Sequence, residues 1–446
     1  MLYKLQKPDL DNINSEKFSE ILLKFVQNKE HYSDLYQETL TPEYLYWDKI
    51  KYKPLPTEFK VDEFWKLTKF IRSTQATESV IKDENGKFYS WIKLPSLEKF
   101  FHEVDLNTGG NLFVFAGELE EGNRRKFITR GVMEEAIASS QLEGAHTTRK
   151  VAKELLREGR KPRNTSEQMI LNSYQTLQVV ETDYKNKKMD LKNIFELHEM
   201  ITKNTVPVDE QGRFRRDEEN IVITDKATGY IYHQPPKIKF VEEEMEKFIK
   251  FANDELGEPF IHPIIKAIMI HFWVAYLHPF TDGNGRLARI MFYWYLLKKN
   301  YWAFAYLPIS KIIKKSPAQY GRAYIYAEQD DCDLTYFIDY NIRKIKTAIE
   351  EFKQYLEEKS RENSRMNMNA KTKYKLNDRQ IQLLQFYYKN KDEKTSLVIH
   401  LTINQISKAT AASDLNGLEK YKFIKAERIG RNIYYYGTEK IKELFV

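Results

Sequence analysis

Twelve residues constrain this chain more than any other stretch: His278-Pro279-Phe280-Thr281-Asp282-Gly283-Asn284-Gly285-Arg286-Leu287-Ala288-Arg289. The run Ala267 to Leu277 ahead of them is apolar apart from His271, and an apolar run follows them. The pattern predicts two buried helices joined by a short loop. His278-Pro279 stops the first helix, because a residue before proline is pushed out of the right-handed helical region. Gly283 and Gly285 allow a tight turn with exposed backbone N–H groups. That turn opens the second helix, so its amides and dipole can hold an anion. A loop of this composition suits polyphosphate.

The side chains add chemistry. His278 is the loop's single imidazole, and with an ordinary pKa of about 6.5 it can accept a proton at neutral pH. Asp282 is a hard oxygen ligand placed beside phosphate-binding amides, as Mg²⁺ shared with a nucleotide requires. Asn284 can donate to a phosphoryl oxygen. Arg286 and Arg289 lie three apart and project from one side of the helix, with forks suited to phosphate. Phe280 and Leu287 are expected in the core, and His271 reads as a satisfied core histidine rather than a ligand. No H-E-x-x-H motif or Cys/His cluster occurs, so no zinc site is expected.

These residues match HPFx[DE]GNGRxxR at every fixed position, and the chain thereby resembles the Fic family. The resemblance implies transfer of AMP from ATP to a Tyr, Thr or Ser hydroxyl of a protein, with pyrophosphate released. His278 would be the base, Asp282 the Mg²⁺ ligand, and Phe280, Gly283, Asn284, Gly285, Arg286 and Arg289 the nucleotide-holding set. Arg286 would take the β-phosphate and Arg289 the γ-phosphate. Family members that phosphorylate carry Lys where this chain has Gly285, which points to nucleotidyl transfer here. Two rival readings stand beside it: removal of AMP through Glu143, and a transcription regulator whose domain only senses nucleotide.

Ser139-Ser140-Gln141-Leu142-Glu143-Gly144 fits the family's inhibitory pattern [ST]xxxE[GN] at Ser139, Glu143 and Gly144. A carboxylate at a helix C-terminus is disfavoured by the dipole and seeks a cation. The resemblance names that cation as Arg289. Residues 220–233 read as a hairpin, two β-prone runs around a turn with glycine. In the family such a flap receives the target, here through Ile221, Val222, Ile223 and Tyr232, by strand addition. Gly212 to Arg215 resembles the family's lead-in to it. Tyr320, Tyr324 and Tyr326 are weaker candidates for stacking on adenine, since aromatics at that spacing usually belong to a core.

At 446 residues the chain is long enough for two or three domains. Its fold class is expected to be mainly α. A helical module (1–110, with a loop at Thr108-Gly109-Gly110-Asn111) precedes a Fic helical core with its flap and inhibitory helix (111–350). A linker (351–373) and a winged helix-turn-helix domain (374–446) follow. The formal net charge of +7 is carried almost wholly from Lys371 onward. There Lys408, Lys420, Lys422, Lys425, Arg428 and Arg431 surround the helix-turn-helix, a footprint for DNA. Asp414, inside the would-be recognition helix, argues against it. The single cysteine, Cys332, excludes an internal disulfide and fits a cytoplasmic protein. Neither a signal peptide nor a membrane span is expected, and a homodimer is left open.

Overall fold

The computed structural model describes residues 2–55, 59–106, 121–224, 228–390, 393–404, 406–430 and 432–444. The expected loop at 108–111, the domain boundary beside it, Asp225 in the flap turn and Arg431 in the wing turn lie outside the described residues. The fold is mainly helical and divides into two compact units, Met1–Glu350 and Glu351–Val446. No helix among the described residues is long and apolar enough to cross a membrane.

The centre of the first unit is the pair of helices that the apolar runs predict. The feeder helix, Pro263–Leu277, starts with proline at its first turn, where a missing N–H costs nothing. Nearly every residue of it is buried, and so is nearly every residue of the loop helix, Asn284–Lys298, which packs on it. Helices apolar all round belong inside a protein. Around them stand Glu121–Leu142, Thr165–Thr182, Leu191–Thr202 and Pro317–Gln329. His271 is indeed a core residue, its Nε2 2.8 Å from the Tyr320 hydroxyl.

Among the described residues three small antiparallel sheets accompany the helices. β1 (Ala76–Lys82) and β2 (Phe88–Ile92) form a hairpin in the N-terminal module, where the sequence reading expected helix alone. Its second strand continues into the rest of the unit: Ser90 N–H donates to Cys332 O at 2.9 Å, and Leu334 N–H to Ser90 O at 2.8 Å. The flap strands are β3 (Ile223–Thr224) and β4 (Ile231–His233), shorter than the run at 220–223 suggested.

Residues 351–373, read as a linker, lie within one helix, Thr335–Tyr374. Their Glu, Lys, Arg, Met and Ala residues are good helix formers, and Met366 and Ala370 are fully buried in the core of the second unit. That unit continues with helix Asp378–Lys389, β5 (Lys394–Ser396), helices Leu397–Asn404 and Lys408–Lys420, then the hairpin β6 (Ile424–Ile429) and β7 (Asn432–Gly437). The sheet order is β5-β7-β6. Asp414 is buried: its carboxylate accepts from Asn377, from Arg379 and from His400 Nε2 at 3.2 Å.

Candidate active site

His278 caps the feeder helix with φ 46° and ψ 57°, a left-handed conformation that histidine tolerates better than most residues. Arg215 fixes it there. The Arg215 Nε donates to His278 O at 2.8 Å and its backbone N–H to Pro279 O at 2.8 Å. The His278 Nδ1 lies 3.3 Å from Ala275 O, an acceptor, so Nδ1 carries the proton and Nε2 keeps its lone pair. Burial first, and then the neighbouring His233 charge, push its pKa down to about 3. The imidazole is therefore neutral at physiological pH, with the Nε2 lone pair unprotonated, although burial also weakens it as a base.

The next residues close the turn. Asn284 Oδ1 accepts from Phe280 N–H at 2.9 Å and Asn284 Nδ2 donates to Phe280 O at 2.8 Å. This side chain, read as a phosphate donor, is a buried clasp that shapes the loop. Phe280 is fully buried and stacks on His198 (3.7 Å, 10°), beneath the turn rather than on its open face. Gly283 has φ 82° and caps the loop helix. A Cβ there would meet Thr202 Cγ2 at 3.0 Å, so glycine serves both the dihedral and the close approach.

His198 is a site residue that sequence reasoning missed. It accepts from Gly212 N–H on Nδ1 at 3.0 Å, which leaves Nε2–H to donate to Asp282 O at 2.9 Å. Burial, with Arg286 adding to it, holds it neutral with a pKa of about 4. A lone histidine in the helix Leu191–Thr202 gives no local signal of this role. Glu328, which binds His233 at 2.7 Å, was missed for the same reason.

Arg286 is fully buried. Its Nη1 donates to Ile201 O at 2.8 Å and its Nη2 to Asp282 Oδ2 at 3.2 Å. Two of its five N–H donors are thus spent on the scaffold, and Nε has no protein partner. Arg289 is tied to the opposite wall: Nε to Ser139 Oγ at 2.9 Å, Nη2 to Ser139 O at 3.0 Å and to Glu143 Oε1 at 2.8 Å. Burial works against its charge, but Glu143, Tyr320 and Glu135 together outweigh that and raise its pKa. Gly144, with φ 97°, turns the chain just after Glu143, as a helix C-terminus calls for.

Glu143 does more than pair. A Cβ built on Gly285 would lie 2.2 Å from Glu143 Oε1. The carboxylate therefore rests against the backbone of the loop helix's first turn, where the amides and dipole attract an anion.

The buried side-chain atoms lacking a protein partner include Thr281 Oγ1, Arg286 Nε and Arg289 Nη1. Three hydrogen-bond donors within nine residues fit an anionic ligand with several oxygens, as ATP is. The metal is a thinner case. Among the described residues no three His, Cys, Asp or Glu side chains gather to hold an ion. Asp282 is half exposed, and its carboxylate accepts from Gly283 N–H and Arg286. One carboxylate fits Mg²⁺ when substrate phosphates supply other oxygens.

Tyr320 and Tyr324 are taken up in an aromatic cluster with Phe337, and Tyr326 stacks on Tyr46 (4.9 Å, 27°). Ile221 and Val222 run into β3, with Ile223 on it. Tyr232, expected to meet the target, packs edge-on against Tyr3 (5.3 Å, 86°), because the chain's own segment already lies along β4.

A buried helix pair, a histidine at the first helix end and an anion-ready turn opening the second make up the candidate site. Residues 188–296 match the Fic/DOC family model. Its relatives include the protein adenylyltransferase Fic of Nematostella vectensis, 32% identical over 107 residues, 24% of this chain and 22% of the relative. The Drosophila melanogaster protein adenylyltransferase Fic is 30% identical over 117 residues, 26% of this chain and 22% of that protein. The match thus spans about a fifth of these relatives' length. A Fic family protein from Desulfovibrio desulfuricans G20 shares the fold, with a TM-score of 0.50 at 19% identity over 77% of this chain and 95% of that one.

Proposed function

We propose that this chain transfers AMP from ATP to a hydroxyl of a target protein and that Glu143 holds it in check. The observation that carries the reading is the seat of Glu143: bound to Arg289 and lying against Gly285, it sits where an ATP phosphate would go. In the open state Arg289 and the first-turn amides hold the terminal phosphates, and Arg286 Nε adds one donor. The target hydroxyl loses its proton to His278 Nε2 as its oxygen attacks the α-phosphorus. The bond to the β-phosphate oxygen breaks and pyrophosphate leaves. Asn284 and His198 act on this chemistry only by holding the turn in shape. Asp282 would hold Mg²⁺, which when bound offsets the charge that builds on the phosphates.

The test uses ATP labelled at the α-phosphate, Mg²⁺ and a cell lysate. Glu143→Gly should label protein strongly where the parent labels weakly, and Glu143→Gly with Arg289→Ala should lose the gain. Adding His278→Ala should cut labelling by ~10² or more while ATP still binds. Absence of label with Glu143→Gly at saturating ATP would sink the activity. Label carried only on γ-labelled ATP would show phosphorylation instead.

For the second unit we propose a winged helix-turn-helix that binds duplex DNA. With Asp414 turned inward, the outward positions of helix Lys408–Lys420 are Lys408, Ala409, Ser413, Asn416, Glu419 and Lys420, three of them neutral and three charged with a net positive sign. The objection that Asp414 raised in the sequence is gone. A gel shift on random duplex at low salt, steeply weakened by added salt, is the expected result. No shift would favour a protein partner. A cytoplasmic location rests on one buried, unpaired cysteine, Cys332, and is checked by fractionation.

A further inference from the structure

The flap is not a two-stranded hairpin standing alone. Leu2 lies parallel to Ile231 on β4, and Tyr3 N–H donates to Ile231 O at 2.8 Å. The Tyr3 ring meets Tyr230 and Tyr232 edge-on at 6.1 and 5.3 Å. Gln329 clamps the same segment through its main chain: Nε2 donates to Tyr3 O at 2.9 Å, and Oε1 accepts from Leu5 N–H at 2.9 Å. Such a two-point grip on residues i and i+2 holds any extended chain without reading its side chains. Leu5 is buried, and Tyr46 OH donates to Gln6 O at 3.0 Å, so the segment is fixed at both ends. The adjacent Glu328 binds His233 at the end of β4. One helix terminus, Glu328-Gln329, therefore grips the flap and its added strand together.

Resting on the activity proposed above, we propose that residues 2–6 brace the flap as a third strand, which assigns the target's docking edge to β3. Among the described residues no strand but β4 pairs with β3. A segment of the target protein, extended and β-prone, adds to Ile221–Thr224 there, and Val222, 40% exposed, offers it an apolar contact. β4 is closed to it by the chain's own residues. The brace matters because strand addition needs a flap that is already ordered: the target then gains backbone hydrogen bonds without the cost of ordering the hairpin.

Hydrogen exchange on the full chain tests the brace without any need for activity. Gln329→Ala and Tyr3→Ala, as two independent variants, should each speed exchange of the amides at 229–234 about tenfold, while those at 284–298 and the affinity for ATP stay as in the parent. Unchanged exchange in both variants would overturn the brace. The edge is read in the Glu143→Gly background from label transferred from α-labelled ATP to lysate proteins. Val222→Lys puts a charge on the residue leading into β3, a device that discourages strand addition. It should lower labelling at unchanged ATP affinity, and Gln329→Ala should lower it as well. If Gln329→Ala raises labelling, residues 2–6 compete with the target and β4 is the docking edge, which contradicts the proposal. If Glu143→Gly labels nothing, the activity fails while the exchange rates still decide the brace.

Discussion

At Gly285 a single absent methyl group lets the Glu143 carboxylate lie on the backbone of the loop helix. This gives a test that couples two residues. Gly285→Ala should destabilise the parent by about 1–3 kcal/mol, the range for an added group in a filled site, unless the carboxylate swings away. In a Glu143→Gly background the same change should cost much less, and a double-mutant cycle by denaturant melts measures the difference. Equal costs in both backgrounds would mean that Glu143 does not rest there. A second residue-scale expectation concerns acid. His198, His271 and His278 are held neutral by burial, with pKa values of about 4, 3 and 3. In the unfolded chain each returns to about 6.5, so between those values the unfolded state binds more protons. Their stabilisation is therefore full above pH ~6.5 and is lost as pH falls toward 4 and below. His233 runs the other way: burial opposes its charge, but Glu328 raises its pKa, so its contribution is full in acid and fades at higher pH. His262, also lowered by burial, makes it four against one, which predicts a melting temperature that drops from pH 6.5 to 4, and less steeply in His271→Gln. A profile equally steep in that variant would place the lability elsewhere.

Among the elements, the helix Glu121–Leu142 matters most, because it carries Ser139 and presents Glu143 from its end. Its height is set by two contacts on the other side of the domain. At Gly131 a Cβ would come within 2.6 Å of both Ala305 O and Tyr306 Cα, which are backbone atoms and cannot swing aside. Four residues on, buried Glu135 accepts from Ser310 N–H at 2.9 Å and from Tyr293 OH at 2.8 Å. Alanine is worth about 1 kcal/mol more than glycine inside a helix. Gly131→Ala should nevertheless destabilise the chain by about 1–3 kcal/mol, because the helix must move to admit the methyl group. If that shift draws Glu143 off Arg289, AMP labelling rises as well. A variant as stable and as weakly labelling as the parent would show that this contact does not set the lock.

On the scale of the whole molecule, the second unit has its own core, and that core reaches back into the long helix. Met366 and Ala370 are buried with Leu384, Leu415, Leu418 and Phe423, and Asn369 Nδ2 donates to Leu444 O at 3.0 Å. A fragment of residues 351–446 should fold alone. A fragment beginning at Lys371, where the basic excess begins, loses these side chains and should be weaker by about 2–5 kcal/mol, the cost of emptying one large core position. Circular dichroism melts of the two fragments compare them directly. Equal stability would mean that the helix before Lys371 adds nothing to this fold.

What the sequence determined by itself was local. Pro279 ends a helix, Gly283 takes a positive φ, and apolar runs on both sides make two buried helices, because each effect acts within a turn or two of its own residues. The pairing of Glu143 with Arg289 was legible through a motif's resemblance rather than through physics, since the two lie 146 residues apart. The linker that proved helical and the hairpin β1–β2 were misjudged because helix propensity and strand pairing there are settled by what packs against them. Tertiary structure alone decided how each donor is used. Asn284 and Arg286 carry the right groups for phosphate, but burial turned Asn284 onto Phe280 and most of Arg286 onto Ile201 and Asp282. His198 reaches Asp282 across 84 residues and His233 reaches Glu328 across 95. No spacing rule covers such separations: a buried polar group must find a partner, and which partner comes within 3 Å is fixed only when the helices have packed.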